Sequence, residues 1–504
     1  MQNLRQQNAI RVVAVLALTL ALAGVAIPMQ AQTFTSLHSF GGGQGTPPDG
    51  SYPNGLVQGT NGYLYGTTQF GGNGGNGNYY GTVFKISTAG TETILDNFDV
   101  SPAPCCGNYA ALALASNGDF YGTAYQNTEA EVFKVNASGT LTSVGDSGLC
   151  NKADPPVCGI DPNTTLVQAS NGDLYGATNE GGAYNLGTIF RMTLGGAFTI
   201  LHSFCETKNV GGDCVDGYAP FTALVQGTNG ILYGATHTNG AYGGGTIFSI
   251  TMTGDFTTLY SFCSVSGCPD GENPYTALVQ GANGNFYGVT GVGGTGTYGS
   301  GGTFFTITPS GALTTLYSFC KLENCADGNY PITLILGTDG NFYGMTAAGG
   351  ANNYGTIFQI TPGGLLTTEH SFAGTDGVVS EDFQPGAWLI QDTSGTFYGV
   401  TSEGGADWPS CSTCNGTVFS LSMGLSPFVK TLPLSGKIGS AVKILGTGLK
   451  GATSVTFNGV PATFKVPSSS EITTKVPAGA TSGEVKVVTS TGTTLTSNVI
   501  FSVP

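Results

Sequence analysis

The sequence predicts an all-β chain in two parts: a seven-bladed β-propeller closed by its own N-terminal strand, then a small β-sandwich. Three observations carry this reading. A Tyr-Gly pair recurs at Tyr65, Tyr121, Tyr175, Tyr233, Tyr287, Tyr343 and Tyr398, at spacings of 56, 54, 58, 54, 56 and 55 residues. Near-constant periods of this size mark repeat architectures. A second signature, Gly-Thr followed by an apolar residue and Phe, begins at Gly81, Gly187, Gly245, Gly302, Gly355 and Gly416. Finally, composition changes at Ser426-Pro427, where Cys vanishes and Lys, Thr, Val and Ser rise.

Residues 1–31 read as a secretory signal peptide. Arg5 and Arg11 precede an apolar run from Val12 to Ile27, and small residues lead to an expected cleavage after Ala31. The run is shorter than the roughly 20 residues a membrane-spanning helix needs, and no later stretch is apolar enough to span. The mature chain is therefore expected to be exported, with no transmembrane helix.

Residues 32–425 carry the repeats. In the fourth copy, Thr222–Gly227 reads as a first strand, Asn229-Gly230 as a tight type I′ turn, and Ile231–Thr236 as a second strand. A Gly-rich loop leads to Gly245–Ile250, and a turn at Thr253-Gly254 leads to Phe256–Phe262. Four short strands per unit and no helical periodicity suit propeller blades. The second copy departs from the third-strand signature, with Ala130-Glu-Val-Phe133. The last copy lacks a fourth strand, whereas Phe34-Thr-Ser-Leu-His-Ser-Phe40 is a fourth strand without its first three. Residues 33–40 are thus expected to complete the seventh blade, removing the open edges of the array. Turns between strands one and two and between three and four are short. The loops on the opposite side are long and varied, so binding is expected there.

Glycine is abundant, at 82 of 504 residues, yet Leu, Val, Phe and Tyr stand at fixed offsets, unlike low-complexity disorder. The net charge is −15; residues 426–504 contribute +5 and residues 1–32 contribute +2, leaving −22 on the repeats. Such a surface argues against a nucleic-acid partner.

The twelve cysteines fit an oxidising compartment. Local disulfides are the favoured reading for Cys150/Cys158, Cys205/Cys214, Cys263/Cys268, Cys320/Cys325 and Cys411/Cys414. Cys411-Ser-Thr-Cys414 has zinc-like spacing, but no second pair or His stands in its repeat, so no metal is assigned. Cys105-Cys106 leaves two pairings open.

Candidate sites are few. His38, His202 and His370 share a slot with Tyr260 and Tyr317, which reads as packing. His237 stands instead in a second-to-third-strand loop, in the slot of Gln69, Asn179, Gly291, Ala347 and Ser402; it reads as a solvated histidine or a general base. Asp-Gly recurs at Asp49, Asp216, Asp270, Asp327 and Asp376, as turns in preference to calcium ligands. Loop aromatics suit sugar stacking. Tyr80, Tyr184, Tyr242, Tyr298 and Tyr354 recur before the third strand, which suggests a structural role. The ligand-binding set is therefore Phe70, Tyr79, His237 and Trp408. No catalytic residue, cofactor motif or metal set is assigned.

The repeated Leu-Val-Gln-Gly-x-Asn-Gly-x-Leu-Tyr-Gly with Gly-Thr-Val/Ile-Phe resembles the bacterial tandem repeat called GloVer, which implies export and a repeat fold but no reaction. Residues 426–504, with Gly446-Thr-Gly-Leu449, Ala452–Ala462 and Val476-Pro-Ala-Gly-Ala480, resemble the IPT/TIG domain. That resemblance implies an immunoglobulin-like sandwich serving as a spacer or interaction module. The expected function is a non-catalytic recognition or scaffold protein, binding an extracellular glycan or surface protein on the loop-rich face. A propeller enzyme acting on extracellular polysaccharide and a structural surface component are the alternatives.

Overall fold

The computed structural model describes residues 32–504 except 42–47, 74–79, 99–110, 127–128, 145–149, 152–156, 161–163, 381–387 and 409–414. The leader, Cys105, Cys106, Tyr79, Cys411 and Cys414 lie outside the described residues. Among the described residues the regular elements are strands joined by turns and loops, apart from one three-residue helical turn at Glu323–Cys325.

Among the described residues, seven antiparallel sheets of one basic strand order follow one another through the repeats, the fifth with an additional edge strand at Glu272–Pro274. In the fourth, the strands are Val225–Gln226, Leu232–Thr236, Thr246–Ile250 and Phe256–Ser261. The first strand is thus much shorter than the sequence suggests. The intervening turn also differs from the expected type I′. Asn229 does not take a left-handed conformation; Gly230 does (φ 81°) and donates back to the Gly227 carbonyl. That is the three-residue hairpin loop ending in a left-handed glycine. The asparagine gains by it, since its carbonyl accepts from Ile231 N and its amide donates to the Tyr233 hydroxyl at 2.8 Å. Asn61, Asn117, Asn171 and Asn283 reach Tyr65, Tyr121, Tyr175 and Tyr287 in the same way.

The two repeat signatures are halves of one packing unit. Gly234 of Tyr-Gly pairs across the ladder with Phe248 of Gly-Thr-Ile-Phe. A methyl group on Gly234 would lie 2.6 Å from Phe248 Cζ, and Gly66, Gly122, Gly176, Gly288, Gly344 and Gly399 meet their own phenylalanines as closely. The tyrosine beside that glycine packs outward onto the next sheet: Tyr65 on Phe120, Tyr233 on Phe286, Tyr287 on Phe342 and Tyr343 on Phe397, with centroids 4.1–4.4 Å apart. Aromatic pairs at this separation add about 0.5–1.5 kcal/mol beyond their burial. Each repeat therefore stabilises its neighbour.

The N-terminal strand Thr33–Ser39 pairs antiparallel with Thr417–Ser422 and forms the fourth strand of the last sheet. Two inter-sheet contacts of the series also link the last sheet with the first. Between neighbours, the turn glycine before a fourth strand approaches the bulged residue of the preceding fourth strand, as Gly254 does Leu201 and Gly311 does Leu259; Gly90 of the first sheet approaches Leu37 of the N-terminal strand. The other contact is a side-chain hook. Gln226 Oε1 accepts from Ser170 N one sheet back, as Gln168 does from Ser116, Gln280 from Thr228 and Gln391 from Thr338; Gln58 of the first sheet accepts from Thr393 of the last.

Beyond the repeats, Lys430–Leu432, Ala441–Leu445, Glu471–Lys475 and Phe464–Lys465 form one sheet. Val460–Pro461, Ser454–Phe457, Val485–Val488 and Thr494–Thr496 form a second, and the two enclose a core of Val442, Ile444, Phe457, Ile472, Val485, Val487 and Phe501. This module sits on the short-turn side of the repeats. Phe428 N donates to Thr393 O, the Thr447 hydroxyl meets that of Thr393 at 3.1 Å, and Ser470 Oγ donates to Thr60 O at 2.6 Å. The plain face predicted from sequence is therefore a docking face.

Candidate functional site

The loop side is held by one repeated device. The Asp of each Asp-Gly accepts both from the His/Tyr slot and from the backbone that leads into the next sheet. Asp216 accepts from His202 Nε2 at 3.1 Å and from Cys205 N; Asp270 accepts from the Tyr260 hydroxyl at 2.8 Å and from Cys263 N. Asp327 with Tyr317, Asp376 with His370 and Asp49 with His38 repeat it. Imidazole N–H and phenol O–H are both donors of suitable reach, which explains why one slot takes either residue. The turn reading of Asp-Gly holds, since Gly217, Gly271 and Gly328 donate back across it, but the carboxylate does more than the turn requires.

Three expected disulfides are formed on this side: Cys205–Cys214, Cys263–Cys268 and Cys320–Cys325. Their first cysteines have positive φ (73°, 72° and 58°), the conformation taken by Gly41 in the same place after Phe40. Cys150 and Cys158 stand directly opposite each other in strand register.

The predicted ligand-binding residues do not form one cluster. Phe70 is 38% exposed, edge-on to Tyr52. Trp408 is half-buried, wedged against Gly374 and edge-on to Tyr354 at 5.6 Å, so it is no open stacking platform. His237 is half-buried and not the freely solvated loop histidine expected. Its ring lies between Phe221 and Tyr275, both 5.2 Å away and edge-on, with Nε2 buried and without a hydrogen-bond partner. Burial pushes its pKa down to about 4, and no carboxylate contributes. At neutral pH it is an uncharged ring in an aromatic lining that continues from Tyr275 to Tyr330 at 5.7 Å.

Three of the five tyrosines read as structural are exposed. Tyr184, Tyr242 and Tyr298 are 47%, 58% and 57% exposed, each in the loop before the third strand of three consecutive repeats. In the sixth repeat the place of Tyr184 and Tyr242 is taken by Asn352, and Tyr354, two residues further on, packs on Trp408. Recurrence alone gave no means of telling a packed position from a displayed one.

Sequence reasoning also missed the space between the repeats and the C-terminal module. A cleft of about 790 Å³ opens there, lined in part by Tyr287, Leu336, Phe342, Pro362, Leu425 and Phe428. Leu336 stands where other repeats carry the hooking glutamine, and Ala282 lines the same cleft on the preceding turn.

Repeated four-stranded sheets with a displayed loop side and a docked β-sandwich define a β-propeller-like repeat protein carrying an immunoglobulin-like module. The model of the Gloeobacter/Verrucomicrobia repeat matches residues 78–300 and 264–459, and the IPT/TIG domain matches residues 427–503. The chain belongs to the Gloeobacter/Verrucomicrobia repeat family and ends in an IPT/TIG domain. No curated protein matches the sequence. Among solved structures it is similar to a fungal alcohol oxidase of the AA5 family in complex with copper. That match has 12% identity and a TM-score of 0.50, and covers 94% of this chain and 99% of the other. A Penicillium chrysogenum α-L-arabinanase complexed with arabinobiose matches at 12% identity and a TM-score of 0.40, over 62% of this chain and 92% of the other. At 12% identity the likeness to the alcohol oxidase is one of fold.

Proposed function

We propose that the chain is an exported, non-catalytic recognition or scaffold protein of the cell surface or secretome. In this reading residues 1–31 are a leader, 32–425 a seven-bladed propeller closed by the N-terminal strand, and 426–504 a docked spacer module. The strand pairing at 33–39 and the bond that Thr393 N donates to Gln58 Oε1 support closure. The loop face binds a glycan, and the observation that carries this is the row of exposed Tyr184, Tyr242 and Tyr298. Phenol rings displayed on three consecutive repeats offer stacking surfaces to a polymer that repeats as well, and the exposed Phe70 adds a further ring.

The enzymatic alternative needs a second titratable group beside His237, yet that ring is flanked by Phe221 and Tyr275 and is shifted by burial alone. The test is retention of purified protein on a panel of polysaccharides, with release of reducing ends followed in parallel. Retention without release, lost in the Tyr184→Ala, Tyr242→Ala, Tyr298→Ala triple variant at unchanged melting temperature, is the expected result. New reducing ends, or retention untouched by the triple variant, would overturn the reading.

A further inference from the structure

The fourth strands align residue for residue. Their first position is Phe34 in the N-terminal strand, then Phe198, Phe256, Leu313 and Leu366 in the third to sixth sheets. In the first sheet the same position is Glu92. Elsewhere that position packs against the His/Tyr slot of the preceding sheet: Phe256 stacks on His202 at 4.0 Å, and Phe34 on His370 at 3.8 Å. At His38 the flat apolar cover is replaced by a carboxylate.

The replacement leaves a polar atom without a partner. The Glu92 side chain is only 10% exposed, its Oε2 lies 3.9 Å from His38 Nε2, and its Oε1 is buried with no hydrogen bond. Hydrophobic burial of a carboxylate with an unfilled lone-pair site is costly, and a packed phenylalanine or leucine was evidently available to the repeat. Asp49 completes the group. Its Oδ2 is 3.2 Å from His38 Nε2, while its two oxygens accept from Gly41 N. One nitrogen and two carboxylates, with ligand atoms all within 4.8 Å of one another, thus converge from three segments: the N-terminal strand, the connecting loop and the first sheet.

We propose that His38, Asp49 and Glu92 form a divalent-cation site that pins the N-terminal strand to the first sheet. A tetrahedral zinc ion about 2.0–2.1 Å from each ligand separates its ligands by roughly 3.4 Å, and the separations of His38 Nε2 from Asp49 and Glu92, 3.2 and 3.9 Å, bracket that value. The mixed imidazole and carboxylate set suits Zn²⁺ or Mn²⁺ better than Ca²⁺, which takes six to eight oxygens. Three protein ligands leave a fourth position for water. The other such triplet among the described residues, Cys263, Cys268 and Glu272, is taken up by the disulfide. The site depends on the residues at this seam and not on whether the loop face binds a glycan.

The test is titration of chelator-treated full chain with ZnCl₂ and with MnCl₂, by calorimetry and by melting temperature. One ion per chain is expected, with a rise in melting temperature at saturation. Glu92→Leu installs the residue type of the fifth and sixth sheets; it should weaken uptake at least 100-fold while leaving the metal-free protein as stable as before or more so. His38→Tyr keeps a donor to Asp49, as Tyr260 does for Asp270, and should weaken uptake similarly. No uptake of either ion by the unmodified protein, or uptake that both variants retain, would overturn the assignment.

Discussion

The two sides of the repeat array solve the same problem with different chemistry. On the short-turn side, neighbours are joined by neutral bonds that a backbone N–H donates to a glutamine amide oxygen, and the C-terminal module covers part of the surface. On the loop side, neighbours are joined through a buried carboxylate that gathers a side-chain donor and one or two backbone donors. Charge-assisted bonds are roughly twice as strong as neutral ones, and they leave a larger deficit when one partner is removed. The difference follows from loop length. A three-residue turn fixes its own geometry, whereas a long inter-sheet connection needs an internal anchor before it can display anything.

The largest effect expected from this comparison is at a loop-side anchor. Asp216 is 8% exposed and accepts from His202 Nε2 and Cys205 N. Asp216→Ala leaves both donors buried without an acceptor and should lower stability by about 3 kcal/mol, read as a fall in urea midpoint at unchanged m-value. Asp216→Asn keeps one acceptor oxygen and should recover about half of that loss. If the alanine variant lost less than a turn-side glutamine variant, the ranking of the two sides would be wrong.

Acid should act on the loop side next. His237 titrates at about 4 in the folded chain against an ordinary 6.5. Between those values the unfolded chain binds more protons, so the stabilisation is complete above pH 6.5 and is lost as pH falls toward 4. At 1.36 kcal/mol per unit, reduced for partial exposure of the ring, the loss is about 2 kcal/mol. His237→Gln, the residue type found at Gln69, should flatten stability across that window, measured by denaturation at stepped pH. Asp376, held low by the His370 bond against the opposing effect of burial, keeps its contribution above the usual carboxylate range and loses it only at still lower pH. The two groups are therefore separable by the pH at which stability falls.

Much of this was legible in the sequence, and what was not has identifiable causes. The repeat, the order of its strands and the split last copy are periodic and local, and they map directly onto sheets. The local disulfides at 205–214, 263–268 and 320–325 were legible for the same reason. His237 was misread because its burial depends on Phe221 and on Tyr275, which belongs to the next repeat. Tyr184, Tyr242 and Tyr298 were misread because periodicity reports equivalence of position and not exposure. Docking of the C-terminal module left no periodic mark at all. Glu92 and the glutamines were different: the signal stood in the alignment of the repeats, as a charge in an apolar column and as a polar residue at every Leu-Val-Gln.

The glutamine hooks give the smallest and most exacting test. Gln58, Gln168, Gln226, Gln280 and Gln391 occupy five of the seven positions, and leucine holds the other two, at Leu114 and Leu336. No hook can form there toward Thr60 or Ala282. The array therefore already tolerates two unhooked junctions, and one of them borders the interdomain cleft. A further loss, Gln226→Leu, removes the bond to Ser170 N and the donation to the Gly230 carbonyl. Both backbone groups lie at a turn where water can replace the amide, so the expected cost is about 1 kcal/mol, well below that of Asp216→Ala. The readout that separates a hook from mere packing is local: amide exchange at Ser170 should speed up in Gln226→Leu while exchange at Thr228, held by Gln280, stays as it was. Equal acceleration at both amides would mean that the hooks act as one cooperative belt, and the turn side would then resist disruption as a unit and not junction by junction.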